Sequence, residues 1–247
     1  MKTVAIIQAR MGSTRLSGKV MKNLLGKTVL AHVIERVKQS KHIDDIVIAT
    51  TVSENDGVIE EEAIRCGVNC YRGSEDDVLS RYYLAAKENK ADIIVRITSD
   101  CPLIDPMVTD KVIEYYKTHD YPYVSNGDPD PSLITYPRGL DTEVFSYEGL
   151  EEAYLNAKKP YQREHVTPYL YEDGKRLYHL KNDKNYSKCR WTLDTEADWK
   201  LISKIYEYLY KGIHNFYMED VVRLMDEHPE LYDINKDIKQ KDYKSNH

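Results

Sequence analysis

Three short runs of uninterrupted apolar residues constrain the fold more than anything else in the sequence. Val4-Ala5-Ile6-Ile7, Ile46-Val47-Ile48-Ala49 and Ile93-Ile94-Val95 lack the apolar–polar alternation of a strand with one wet face. Each therefore reads as a strand buried on both sides. They predict strands over residues 4–7, 45–51 and 92–98, with a shorter one over 68–71. Helical spacing fills the intervals: Leu30, Val33, Ile34 and Val37 share one face of a helix over 29–38, and a second helix over 58–66 stops at Gly67. A third starts at Ser74, where Ser-x-x-Asp resembles a capping box, and turns Leu79, Tyr82, Tyr83 and Ala86 inward. Such alternation predicts an α/β architecture, a mostly parallel sheet flanked by helices.

With 247 residues the chain has material for a full core. The expected organisation is a single domain over 1–234 and a polar tail over 235–247 that frays. Residues 119–190 break the rhythm: they are rich in proline and tyrosine, and offer short strands only at Glu143–Ser146 and over 177–181. This excursion is expected to serve as a lid, an acceptor-binding element or a subunit contact. A last strand over 190–193 and helices near 196–211 and 217–228 complete the chain.

The first strand runs straight into Gln8-Ala9-Arg10-Met11-Gly12-Ser13-Thr14-Arg15-Leu16-Ser17-Gly18-Lys19. Glycines, small hydroxyls, two arginines and a lysine in one strand-to-helix loop suit a polyphosphate, held by backbone N–H groups and countercharge. The pattern is not G-x-x-x-x-G-K-[ST], because five residues separate Gly12 from Gly18 and Val20 follows Lys19. G-x-G-x-x-G is absent from the loop too, which removes the dinucleotide reading. Arg10, Arg15 and Lys19 would neutralise a triphosphate and the charge that grows as pyrophosphate departs; a structural ion pair for Arg10 and a solvated side chain for Lys19 are the rival readings.

This loop resembles the signature loop of the cytidylyltransferases that activate acidic sugars. It is closest to the spore-coat polysaccharide biosynthesis protein F group, and more distantly similar to the synthetases of CMP-Kdo and CMP-sialic acids. The resemblance implies a nucleotide-diphospho-sugar transferase (Rossmann-like) fold, CTP as nucleotide and an acidic sugar or sugar phosphate as acceptor. Gln8, Ala9, Arg10, Gly12, Ser13 and Thr14 then bind nucleotide, with Arg15 and Lys19 as catalytic cations. Thr50-Thr51, Ser74 and the segment from Asp77 to Arg81 resemble the family's nucleotide-side segments, although Ser74 and Asp77 serve equally well as helix caps.

Ligands of open α/β sheets sit beyond the carboxyl ends of the strands, and two carboxylates occur there. Asp100 follows the fourth strand in Thr98-Ser99-Asp100-Cys101-Pro102-Leu103, and Asp194 follows the last in Trp191-Thr192-Leu193-Asp194-Thr195. A magnesium ion with a nucleotide needs one or two carboxylates, whereas by spacing alone Asp100 is a turn residue and Asp194 a helix cap. The resemblance implies that both are Mg²⁺ positions and that Asp100 is catalytic. Glu196, where the family has proline, departs from its pattern. Without ligand the two carboxylates are expected to repel, so that the site is open or holds water or a stray cation.

Arg138-Gly139-Leu140-Asp141-Thr142-Glu143 and Gln162-Arg163-Glu164-His165-Val166-Thr167 are similar to segments of the spore-coat group. Strand alternation puts Asp141 and Glu143 on one face; on a helix Arg163 shares a face with Thr167 and Gln162 with His165. Arg138, Asp141, Glu143, Arg163 and His165 are thus candidates for the acceptor or a neighbouring subunit, with a homodimer expected. His165 reads either as a general base or as a structural histidine. Arg96, charged inside an apolar strand, needs a partner and is either ligand-facing or part of a buried ion pair.

The net charge of −6 gives no global basic field for nucleic acid or anionic membrane. Cys66, Cys70, Cys101 and Cys189 form no C-x-x-C pair, as in a reduced, cytoplasmic protein, and no apolar run has the length of a membrane span. Two other readings stay open: a sugar-1-phosphate nucleotidyltransferase using another nucleotide, and a non-catalytic nucleotide-binding subunit. The set Arg15, Lys19, Asp100 and Asp194 speaks against the second.

Overall fold

The buried apolar runs pair with one another, as their lack of a polar face requires. The computed structural model describes residues 1–127, 130–172 and 174–239; the end of the polar tail lies outside them. In chain order the strands are β1 (Thr3–Gln8), β2 (Asn23–Leu24), β3 (Lys27–Thr28), β4 (Asp45–Thr51), β5 (Asn69–Gly73), β6 (Ile93–Thr98), β7 (Tyr123–Ser125), β8 (Glu143–Ser146) and β9 (Tyr178–His179). The helices are α1 (Val29–Val37), α2 (Gly57–Arg65), α3 (Val78–Glu88), α4 (Pro106–Thr118), α5 (Tyr147–Asn156), α6 (Pro160–His165), α7 (Pro168–Tyr171), α8 (Glu196–Leu209) and α9 (Met218–Glu227). Seven strands form one sheet in the order β5-β4-β1-β6-β8-β7-β9, and β2 and β3 make a small hairpin. Strands β5, β4, β1 and β6 are mutually parallel. Only β8 reverses, running against β6 and β7, so the expected mostly parallel α/β sheet is present.

Side-chain alternation sends β1 to both faces. Ala5 and Ile7 pack with Ile46, Ile48 and Val95 under α1 and α4, through Leu30, Val33, Ile34, Val112 and Ile113. Val4 and Ile6 pack with Val47, Ala49 and Ile94 under α3 and α5, through Leu79, Tyr82, Ala86 and Leu150. Each fully buried aliphatic side chain contributes about 1.5–3 kcal/mol, which makes these strands the rigid base of the molecule. A third cluster joins Trp191 and Leu193 to Leu201, Ile205 and Tyr206 of α8 and to Val221 and Met225 of α9. Among the described residues no helix is long and apolar enough to cross a membrane.

Several sequence expectations need correction. Helix α3 starts at Val78, not Ser74: Ser74 Oγ accepts from Asp77 N at 3.1 Å to close a turn. Asp77 then caps the helix by accepting from Ser80 N at 2.9 Å. The reason is that β5 continues to Gly73, leaving 74–77 as the strand-to-helix turn. Residues 190–193 add no strand; they make a single bridge, Arg138 to Arg190, because Trp191 and Leu193 are used by the third cluster. Helix α4 was not anticipated, although Asp105 caps it and Pro106 opens it. The tail does not fray at its start: Asn235 is buried and donates to Arg190 O at 2.9 Å and Asp198 Oδ1 at 2.8 Å.

Candidate nucleotide-binding site

Beyond the carboxyl ends of β1 and β6 lies a cavity of about 510 Å³ whose wall includes the loop after β1. Its entrance is fixed by Ala9 N donating to Ala49 O at 3.2 Å and Met11 N donating to Asp56 Oδ1 at 2.7 Å. The loop closes where Gly18 N donates to Met11 O at 3.3 Å. Gly18 has φ +61, a conformation side chains rarely adopt, and it launches the single 3-10 turn Lys19–Met21. Gly12 has no such requirement, since an added Cβ would meet nothing nearer than 3.8 Å. Of the two loop glycines, only Gly18 is demanded by the backbone.

That turn aims Lys19 between the two strand-end carboxylates. Its Nζ donates to Asp100 Oδ2 at 2.7 Å and to Asp194 Oδ1 at 2.8 Å. Arg15 Nη2 lies 3.1 Å from the same Asp194 oxygen. The expected repulsion between open carboxylates is therefore not what the site shows, because an ammonium lies between them. Burial opposes the charge on Lys19, but Asp100 and Asp194 outweigh it and hold its pKa above the ordinary lysine value. Burial likewise favours the neutral acid at Asp100, and the Lys19 charge and hydrogen bond overcome that, leaving its pKa below the usual carboxylate range.

Asp194 does not follow a sheet strand, so its position has another cause. Leu193 N donates to Asp100 O at 2.7 Å, which ties the two carboxylate-bearing segments together. Arg138 N donates to Cys189 O at 3.0 Å and Trp191 N to Arg138 O at 2.7 Å. Gly139, with φ +99, lies so close that an added Cβ would stand 2.6 Å from the Trp191 carbonyl carbon. The side chain is then oriented by Arg190, whose Nη2 donates to Asp194 Oδ2 at 2.9 Å. Arg190 is itself gripped by the fully buried Asp198, at 3.0 and 3.3 Å. Asp198 also completes the capping box of α8, whose N-cap is Thr195, by accepting from Thr195 N at 2.9 Å. Sequence reasoning missed Arg190 and Asp198; an arginine opening an expected strand carried the same need for a partner that singled out Arg96.

The cavity gathers Gln8, Ala9, Arg10, Gly12, Ser13, Thr14, Arg15, Lys19, Arg81, Asp100, His165 and Asp194. Glu75, Asp76, Ser99 and Glu164 also line it, none of them anticipated. The other candidates lie elsewhere. Thr50 and Thr51 are fully buried and outside the cavity lining: the Thr51 hydroxyl donates to Asp56 Oδ2 at 2.5 Å, and the Thr50 hydroxyl has no hydrogen-bond partner among the described residues. Ser74 and Asp77 form the turn and cap described above. Arg163 donates from Nε to Asp77 Oδ2 at 3.0 Å and from Nη1 to Tyr154 O at 2.8 Å. Arg138 lines a separate cavity of about 140 Å³ beside Lys188 and Lys236.

Asp141 accepts from Gly139 N at 2.8 Å and lies before β8, not on it; burial raises its pKa. Glu143 accepts from Arg96 Nη1 at 2.5 Å, and Arg96 Nη2 donates to Gln8 Oε1 at 3.2 Å, so Arg96 belongs to a buried ion pair. Helix α6 ends at His165, and Val166 takes φ +70, so Thr167 does not share a helical face with Arg163. Gln162 donates to Glu172 and does not join His165 in the cavity.

Comparison with known proteins gives the family. Residues 4–244 match the family model described as cytidylyltransferase. The chain is 40% identical to protein MJ1063 of Methanocaldococcus jannaschii, over 99% of this chain and 98% of that one. It is 34% identical to the spore coat polysaccharide biosynthesis protein SpsF of Bacillus subtilis, over 82% of this chain and 85% of that one. A solved structure of a cytidylyltransferase from Leptospira borgpetersenii superposes with a TM-score of 0.88 at 33% identity, covering 98% of this chain and 99% of that one. A strand-end loop of cations facing two carboxylates, on a sheet of this order and with relatives aligned along its length, identifies the chain as a member of the cytidylyltransferase family.

Proposed function

We propose that the protein transfers CMP from CTP to an acidic sugar or sugar phosphate, releasing pyrophosphate, in the synthesis of a surface polysaccharide. The observation that carries this reading is the convergence of Arg15 and Lys19 with Asp100 and Asp194 at one end of a cavity, at 2.7–3.1 Å. An acceptor oxygen attacks the α-phosphorus, the bond between that phosphorus and the bridging oxygen breaks, and pyrophosphate carries the electrons away. The work left to the protein is positioning and charge stabilisation. Arg10, Arg15 and Lys19 face the phosphates; His165 faces the acceptor from the end of α6.

Two carboxylates that already meet on a single cation offer the hard oxygen donors that suit Mg²⁺. Asp100 and Asp194 would hold that ion, which when bound supplies positive charge to the triphosphate. Because Arg138 and Arg163 lie outside the cavity, an acidic acceptor would be held by Ser99 and His165. Pyrophosphate release from each of the four nucleoside triphosphates, measured against a panel of acidic sugars and sugar phosphates, tests the reading. Release with CTP and one acidic acceptor is expected. Release with another triphosphate and a neutral sugar phosphate would replace it.

A further inference from the structure

Lys19 is placed where it cannot stay if a divalent cation and the carboxylates are to meet. We propose that Lys19 is the built-in counter-ion of the Asp100–Asp194 pair, so that the protein takes up its divalent cation only together with the triphosphate. This rests on the reading of those two aspartates as the metal-holding pair.

Three of the four carboxylate oxygens meet cations of the chain, and the fourth, Asp100 Oδ1, faces Cys101 Sγ at 3.7 Å. Lys19 takes Asp100 Oδ2 and Asp194 Oδ1 at 2.7 and 2.8 Å. Arg15 takes Asp194 Oδ1 at 3.1 Å, and Arg190 takes Asp194 Oδ2 at 2.9 Å. Asp198 is the buried partner of Arg190 at 3.0 Å. Three cations thus face Asp100, Asp194 and Asp198, and the cluster is already balanced. A bare divalent ion entering it would break charge-assisted hydrogen bonds to Lys19 and then face that lysine at close range. A triphosphate changes the balance, because its oxygens provide a second home for Lys19 and Arg15 on the loop that lines the same cavity. The ammonium then leaves and the carboxylate oxygens come free for the metal.

The exchange is local. Lys19 is the first residue of a 3-10 turn, and its flexible stem lets the ammonium move without the backbone. Arg190, in contrast, is pinned by Asp198 and stays on Asp194 Oδ2, so Asp194 keeps its orientation with Oδ1 facing the cavity. Metal and nucleotide are therefore linked, each raising the affinity for the other by the same factor.

The test uses Mn²⁺ as probe with the full-length protein. Free Mn²⁺ is counted by electron paramagnetic resonance, and water-proton relaxation separates a protein-bound Mn²⁺–CTP complex from Mn²⁺–CTP in solution. Without nucleotide, Lys19→Met and Lys19→Gln are expected to bind Mn²⁺ at least about tenfold more tightly than wild type, within the usual range of coupling between sites. Lys19→Arg, which keeps the charge, should remain like wild type, and thermal melts of all three establish that they fold. Wild type should show the enhanced relaxation only when CTP is added. Tight Mn²⁺ binding to wild type alone, equal to that of Lys19→Met, would overturn the proposal while leaving the metal site intact. No enhancement in any of these proteins with CTP, and no loss of Mn²⁺ from Lys19→Met on adding Asp100→Asn, would instead sink the metal-site reading itself.

Discussion

Arg15 and Lys19 both touch Asp194, yet they differ in exposure: Arg15 is solvent-exposed, whereas the Lys19 side chain is 12% exposed. In the proposed reaction both charges act where pyrophosphate forms, so Arg15→Ala and Lys19→Ala are expected to lower turnover by about 2–4 kcal/mol in the barrier, the range for one preorganised donor. Steady-state kinetics decide it: a raised Michaelis constant for CTP with unchanged turnover would reduce the loop to a tether. Asp100→Asn should abolish turnover and keep the fold. It should not gain stability, because Lys19 already neutralises the pair. The pKa directions set the pH dependence. Asp100, held below the usual carboxylate range by Lys19, contributes stability that is present above its unfolded pKa and lost as pH falls through the folded value. Lys19, held above 10.5, contributes below its unfolded pKa and loses that contribution as pH rises through the folded one. The stability gap between wild type and Asp100→Asn should be flat from about pH 5 to 9 and close on acidification; denaturant midpoints across that range measure it.

At the scale of elements, the segment from Arg190 to Asp194 shows how a site residue is held without a strand. Gly139→Ala would place a methyl into the Trp191 backbone at 2.6 Å, from a residue with φ +99. The expected cost is about 1–3 kcal/mol or more of stability, with a loss of turnover larger than that of a control at the unconstrained Gly12. A variant that melts like wild type and turns over normally would remove Gly139 from the support of Asp194. The same segment explains what could be read from the sequence. β1, β4 and β6 were legible because burial on both faces erases alternation, and Asp100 was legible because it follows such a strand. The 190–193 segment, Arg-Trp-Thr-Leu, alternates as a strand would, but for a different reason: Trp191 and Leu193 feed the cluster beneath α8 and α9, and alternation does not tell a sheet from a core beside it. Thr50 and Thr51 misled in the opposite way. They stand at a strand end, where ligands gather, but Asp56 claims the Thr51 hydroxyl. Arg190 and Asp198 were illegible as site residues because each acts through another side chain.

Across the whole molecule, the cavity end of the sheet depends on parts far apart in sequence. The loop after β1 supplies Lys19, the turn after β6 supplies Asp100, and the segment before α8 supplies Asp194. Asn235 then locks Arg190 and Asp198 from near the chain's end, so a nucleotide that engages this end braces nearly the full length of the fold. Such a ligand stabilises the native state by mass action, about 2.7 kcal/mol when its concentration is a hundred times its dissociation constant. For a protein of this size that raises the melting temperature by roughly 5–10 °C. With Mg²⁺ present, CTP is expected to give a shift of that order and ATP, GTP and UTP clearly smaller ones at equal concentration. The phosphates are common to all four, so Arg10, Arg15 and Lys19 cannot tell them apart; the difference must come from the base. Gln8, whose Oε1 is engaged by Arg96, lines the cavity with its amide N–H groups left to donate, and the buried guanidinium of Arg81 lines it too. Donors of this kind suit the acceptor edge of a pyrimidine. In Gln8→Ala the advantage of CTP over the other triphosphates should shrink while the shift they share persists. Equal shifts from all four in the wild-type protein would leave the phosphate site standing and withdraw cytosine recognition from this cavity.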